Sequence, residues 1–208
     1  MDISALVDEF LPGPGGTLDQ LSQRAQDTLA ALTESDTGKA IHTALHGNTW
    51  LGHPLHAIVI VVPVGAWSLT GWYDLRGALS SDPRHDSTAD AALRVGLVTA
   101  LAAAATGAAQ YLDTRGAVRR ETAVHAALNW AAVGVYAASW AARKRGHRRL
   151  GRLLSTTGLV GLGVSGYLGG DIAYRHGVGM RPQALRSPGR PAADTSDRPL
   201  VVNEVAHV

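Results

Sequence analysis

The sequence predicts an all-α protein: an integral membrane bundle of four transmembrane helices, with an amphipathic N-terminal tail and a disordered C-terminal tail. Three observations predict it. Four windows are long enough to span a bilayer and carry no formal charge, apart from one aspartate near the end of the last. The charged fraction of 17% lies below the roughly 25% of ordinary soluble domains. Polar side chains collect at the window ends, and basic residues cluster between the third and fourth.

The 208 residues carry 19 Lys and Arg against 17 Asp and Glu, and a net charge of +2 is too small to point to nucleic acid. Mean hydropathy is only +0.02 because two polar tails dilute the spans. There is no cysteine, which excludes disulfides, Cys-ligated zinc, iron–sulfur clusters held by this chain and covalent c-type haem. The start, Met1-Asp2-Ile3-Ser4, has neither a basic n-region nor a twin arginine, so no cleaved signal peptide is expected. Composition divides the chain into a polar and amphipathic tail over 1–49, the membrane domain over 50–180 and a Pro-rich, disordered tail over 181–208.

In the N-terminal tail, Thr17-Leu18-Asp19-Gln20 reads as a capping box after a Pro-Gly breaker run. Leu18, Leu21, Ala25, Leu29 and Leu32 then form one apolar stripe, suited to the membrane surface, to a partner or to the protein's own body. A shorter helix is expected from Asp36 to His46, ending at Gly47-Asn48, with His42 and His46 at a metal-compatible spacing.

The first span is expected from Leu55 to Tyr73, with Pro63 freeing the carbonyl of Val59, and Trp67, Trp72 and Tyr73 in an interfacial belt. Asp74 and Arg76 mark its exit to water, and 77–90 reads as a polar loop. The second span, Val95 to Leu112, places Gly96, Ala100, Ala104 and Ala108 on a close-packing stripe. After a turn from Thr114 to Glu121, the third span runs from Thr122 to Ala142, with His125, Asn129, Ala132 and Tyr136 on one inward face. The fourth, Leu153 to Tyr174, is glycine-rich and suited to close packing or to a flat cofactor.

Alternating span directions bring His53, His56, Gln110, Tyr111, Asp113, His125, Asn129, Asp171 and Tyr174 to one side of the membrane. His53, His56 and His125 are the candidate cofactor ligands; with Asp171 they are the candidate metal ligands, and Asn129, Gln110 and Tyr174 are placed to support them. The opposite side carries Arg143, Lys144, Arg145, Arg148, Arg149 and Arg152, which favours a cytoplasmic 143–152 loop in a multi-pass plasma-membrane protein.

Gly52-His53-Pro54-Leu55-His56, the Pro63-Val64-Gly65-Ala66-Trp67 segment, Asp74-Leu75, Val124-His125-Ala126-Ala127-Leu128-Asn129 and Tyr167-Leu168-Gly169-Gly170-Asp171 through Met180 together resemble an uncharacterised four-helix membrane domain. That family is common in actinobacteria and often fused at its C-terminus to a Rieske iron–sulfur domain; the resemblance covers about residues 40–180. Without cysteine, no Rieske centre is expected in this chain, and Asp171 stands where relatives often carry histidine. The resemblance implies a redox-associated membrane protein but no settled activity.

Three readings of function remain open. One is a non-enzymatic anchor or organiser of a membrane redox partner or of a second copy. The second is b-type haem held by His125 with His53 or His56. The third is a divalent non-haem metal on His53, His56, His125 and Asp171. Four spans without an inverted repeat argue against a transporter, and the lack of a Gly-x-Ser-x-Gly motif argues against a hydrolase of that kind.

Overall fold

The computed structural model describes residues 13–80 and 82–179, and the expected C-terminal tail lies outside them. Among the described residues the chain is helical throughout: α1 (Thr17–Ala31), α2 (Asp36–His46), α3 (Leu55–Val59), α4 (Val61–Leu79), α5 (Pro83–Tyr111), α6 (Gly116–Lys144), α7 (Arg148–Gly170) and a closing π-helical turn, Asp171–Arg175. Taken together, α3 and α4 make one bent helix. The break falls at Ile60, three residues before Pro63, where a missing N–H interrupts the helical ladder.

The long helices outrun the charge-free windows at both ends. The expected loop over 77–90 shrinks to the residues between Leu79 and Pro83, because Asp82 accepts a hydrogen bond from the Arg84 amide (2.9 Å) and Pro83 starts α5 in the first turn, where no N–H is needed. Likewise the turn expected from Thr114 to Glu121 ends at Arg115, and Glu121 lies inside α6. The Thr17 capping box does not form: Gly16 is the N-cap of α1, and Asp19 instead accepts from the Gly15 amide (3.1 Å).

Among the described residues two helices are long and apolar enough to cross a membrane: Leu55–Leu79, of 25 residues, and Pro83–Tyr111, of 29. Only 22% and 28% of their most apolar windows is buried, so most of that apolar surface faces outward instead of filling a core. Val61, Leu69, Val98, Leu101, Val160 and Val164 are among the large apolar side chains left exposed.

The bundle is two helical hairpins of one design. In the first, α3 and α4 pack along α5; in the second, α6 packs along α7; the hairpins meet through α5 on α6 and α4 on α7. Asp74 precedes Arg143 by 69 positions, and the same offset relates His56 to His125, Trp67 to Tyr136 and Thr70 to Ser139. On the second helices, Asp86 precedes Arg148 by 62 positions, and that offset relates Asp90 to Arg152, Gly96 to Gly158, Ala103 to Ser165 and Gly107 to Gly169. Equivalent positions carry equivalent burial: Trp67, Thr70 and Asp74 are inside, as are Tyr136, Ser139 and Arg143. The hairpins are therefore parallel structural repeats.

Equivalent residues also meet each other. Trp67 and Tyr136 stack at the centre, ring centroids 4.1 Å apart and nearly parallel at 6°. Leu93 and Ala100 complete this core, with Leu97, Val133 and Leu162 against it. Trp67 is thus an interior residue and not part of an interfacial belt. Each ring lies in a notch left by a glycine. A Cβ at Gly96 would overlap the Trp67 indole, and one at Gly158 would lie 2.8 Å from the Tyr136 ring. The buried stripe of α5 runs through Gly96, Ala100, Ala103 and Thr106, following the helical period instead of a strict repeat of four.

At one end of the bundle, Arg143 reaches Asp74 through both terminal nitrogens and also bonds Ser155 (3.0 Å) and Ser139 (3.2 Å). Asp74 therefore does not mark an exit to water. Around this pair, Arg143 and Arg148 share Asp90, and Arg148 and Arg152 share Asp86.

Replacing Gly96 or Gly158 by Ala is expected to cost about 1–3 kcal/mol through overpacking against the stacked rings. Gly161→Ala, where an added Cβ meets nothing within 4 Å, is expected to be neutral or slightly stabilising. Thermal unfolding in mild detergent reads both outcomes.

Candidate functional site

The candidate side chains fall at the end of the bundle opposite the Asp74–Arg143 pair. His56, in α3, and His125, in α6, occupy equivalent places in the two hairpins and make equivalent bonds. His56 Nδ1 lies 3.0 Å from the Ala103 carbonyl and 3.3 Å from Thr106 Oγ1. His125 Nδ1 lies 2.8 Å from the Ser165 carbonyl and 3.1 Å from Ser165 Oγ. A carbonyl only accepts, so in both rings Nδ1 carries the proton and Nε2 the lone pair. Each ring rests on a glycine one helical turn beyond its acceptor: a Cβ at Gly107 would lie 3.1 Å from His56 Cε1, and one at Gly169 would lie 2.9 Å from His125 Cε1.

Asn129, one turn along from His125, donates to both the His125 carbonyl (2.9 Å) and Nε2 (3.0 Å). His56 Nε2 has no hydrogen bond among the described residues. The other expected members of the site are placed differently. His53 is exposed, and its ring approaches only the Leu51 carbonyl, at 3.4 Å. Asp171 pairs with Arg175 (3.2 Å) and lies 3.9 Å from His176. Gln110 packs near Gly179 and Pro54, with its amide nitrogen buried and unbonded, and Tyr174 points outward. Among the described residues, the ligand group compact enough to hold an ion is Glu121, Asp171 and His176, not the set of His53, His56, His125 and Asp171.

The N-terminal helices close over this end. His42 Nε2 bonds the Ala109 carbonyl (3.1 Å), and His46 Nε2 bonds Asp113 Oδ2 (2.7 Å), so both histidines tie α2 to the end of α5. Helix α1 docks by its polar face: Gln26 donates to the Tyr111 and Thr114 carbonyls, Tyr111 donates to the Ser22 carbonyl, and Asp19 meets Arg119 and Arg120. The Gly15 amide and Arg119 hold the Asp19 carboxyl below its ordinary value. The apolar residues Leu21, Ala25 and Leu32 remain exposed on the outer face.

Spacing in the sequence points to His56, His125 and Asn129, whose hydrogen bonds are described above, and not to the Glu121–His176 contact. Glu121 was hidden in an expected turn. His176 depends on a π-helical turn that no simple periodicity signals.

His56→Phe and His125→Phe keep most of the ring volume but remove the imidazole hydrogen bond to a main-chain carbonyl. Each is expected to cost about 0.5–1.5 kcal/mol in thermal unfolding. His53→Ala is expected to stay within about 0.5 kcal/mol of the native protein.

No curated protein and no solved structure matches the chain. A family model described as predicted membrane protein (DUF2231) matches residues 52–182, which takes in both hairpins and the Glu121–Asp171–His176 corner. The chain belongs to this family of membrane proteins of unknown function.

Proposed function

We propose that the chain crosses the plasma membrane four times, as two repeated hairpins, and serves as an anchor or organiser for a membrane partner. Helix length supports the two further crossings: α6 has 29 residues and α7 has 23, or about 43 and 35 Å at 1.5 Å per residue, against a hydrocarbon core of about 30 Å. The observation that carries the organising role is the closed interior. The Trp67–Tyr136 stack fills the bundle centre and the Asp74–Arg143 network seals one end, so the axis offers no conduit. The partner class, a membrane redox protein or a second copy, is supported by the exposed apolar flanks and by the chain's resemblance to a family often fused to Rieske domains.

The ion pairs also bear on orientation. At the histidine end Arg119 and Arg120 are paired with Asp19, and Arg175 with Asp171. At the other end Lys144, Arg145 and Arg149 are exposed, which supports a cytoplasmic 143–152 loop.

A second reading, b-type haem at His56 and His125, rests on one observation. Both rings donate from Nδ1 to a main-chain carbonyl, an arrangement that fixes the tautomer and leaves Nε2 for a metal. On that reading Asn129 releases His125 Nε2 on binding, and the haem would supply one-electron chemistry.

Two measurements test these readings. The chain has no native cysteine, so an impermeant maleimide in intact cells is expected to label Thr37→Cys and to label Arg149→Cys only after permeabilisation. Labelling of both from one side contradicts the crossings between them; a reversed pattern contradicts the orientation. For haem, protein produced with a haem precursor should show a Soret band that His56→Ala and His125→Ala abolish and His53→Ala leaves intact. The lack of any Soret band removes the second reading.

A further inference from the structure

We infer that Glu121, Asp171 and His176 form a divalent transition-metal site, apart from the His56–His125 pair, that fastens the end of the second hairpin to the start of α6. Glu121 lies early in α6, with a side chain only 1% exposed. One carboxylate oxygen, Oε2, lies 3.0 Å from His176 Nε2; the other, Oε1, is buried with no hydrogen-bond partner. A buried carboxylate oxygen without a donor is costly unless a cation meets it. Asp171 Oδ2 stands 3.9 Å from the same His176 nitrogen, and one ligand atom from each of the three residues falls within 4.8 Å of the others.

The backbone is shaped for this arrangement. Five residues along an α-helix turn a side chain through about 140°, so Asp171 and His176 would point apart. The π-helical turn, closed by the bond from the His176 amide to the Asp171 carbonyl (3.2 Å), widens the winding and returns both to one face. Such turns occur frequently at functional sites.

One imidazole and two carboxylates suit zinc, manganese or iron better than calcium or magnesium. With bonds of about 2.1 Å, ligand atoms of a tetrahedral ion stand about 3.4 Å apart. The separations from His176 Nε2, 3.0 Å to Glu121 and 3.9 Å to Asp171, bracket that value. Metal entry displaces the His176 Nε2 proton and leaves a fourth position for water. Arg175 at 3.2 Å from Asp171 competes for the same oxygen, which favours a site of moderate affinity.

The test uses the full chain, purified in mild detergent without a polyhistidine tag and stripped by chelation. Titration with zinc is expected to show one site and a rise in the thermal midpoint. Glu121→Gln and His176→Gln should each weaken zinc binding at least tenfold and remove the thermal shift, whereas His56→Ala should keep both. His176 lies beyond the last helical turn, so its variant reports even if Glu121→Gln fails to fold. If the native chain takes up no zinc, or binds it as His176→Gln does, the three residues are an ion-paired cluster only and the inference is wrong.

Discussion

A guanidinium 1% exposed and a carboxylate 4% exposed face each other near one end of the bundle. Neither Arg143 nor Asp74 could be buried alone, since the effective penalty for desolvating each ion is several kcal/mol. The pair requires α4 and α6 to stand diagonally opposite in a fixed register, because only then does residue 74 meet its equivalent, 143. Ser155 and Ser139 meet further polar valences from α7 and α6. Once this register is set, Trp67 must meet Tyr136, and His56 and His125 must fall at corresponding depths at the far end. In lipid, where hydrophobic exclusion does little to drive helices together, a polar clasp and close-packed glycines can specify the pairing.

The repeat was hard to see in the sequence because it preserves geometry and reverses charge. His56 and His125 are identical, Trp67 and Tyr136 are both aromatic, and Thr70 and Ser139 are both hydroxylic. Asp74, Asp86 and Asp90 in the first hairpin, however, become Arg143, Arg148 and Arg152 in the second. A sequence comparison scores those positions as opposites, yet they are equivalent, and their opposition is what binds the halves. Three of the six cations in the basic run, Arg143, Arg148 and Arg152, pair with these aspartates, while Lys144, Arg145 and Arg149 stay exposed.

Helix existence and order were legible; helix ends were less so. Asp36–His46 matches its expected bounds because Ser35 and the left-handed Gly47 punctuate it. The long helices overran their windows because charge marks where a helix leaves lipid, not where its hydrogen bonds stop. At the site, the inward face of His125 and Asn129 followed from spacing alone. His53 did not join His56 because it precedes Pro54, which stands before the helix and holds it outside the face that His56 presents. Asp171 left the histidines for Glu121 and His176 because a π-helical turn resets the winding after Gly170.

The bundle thus has an ionic end and a histidine end. At the ionic end Asp74, Asp86 and Asp90 are each paired with arginines of the second hairpin. The other end holds two matched imidazoles, a buried carboxylate cluster and the docked N-terminal helices.

The central claim is that the buried Asp74–Arg143 pair sets the register of the two hairpins, and a double-mutant cycle on unfolding in detergent tests it most directly. Asp74→Leu and Arg143→Met are each expected to cost about 3–5 kcal/mol, because each leaves its partner buried and uncompensated. The double variant is expected to lose less than either single one. Additive losses, or single variants as stable as the native chain, would contradict the account.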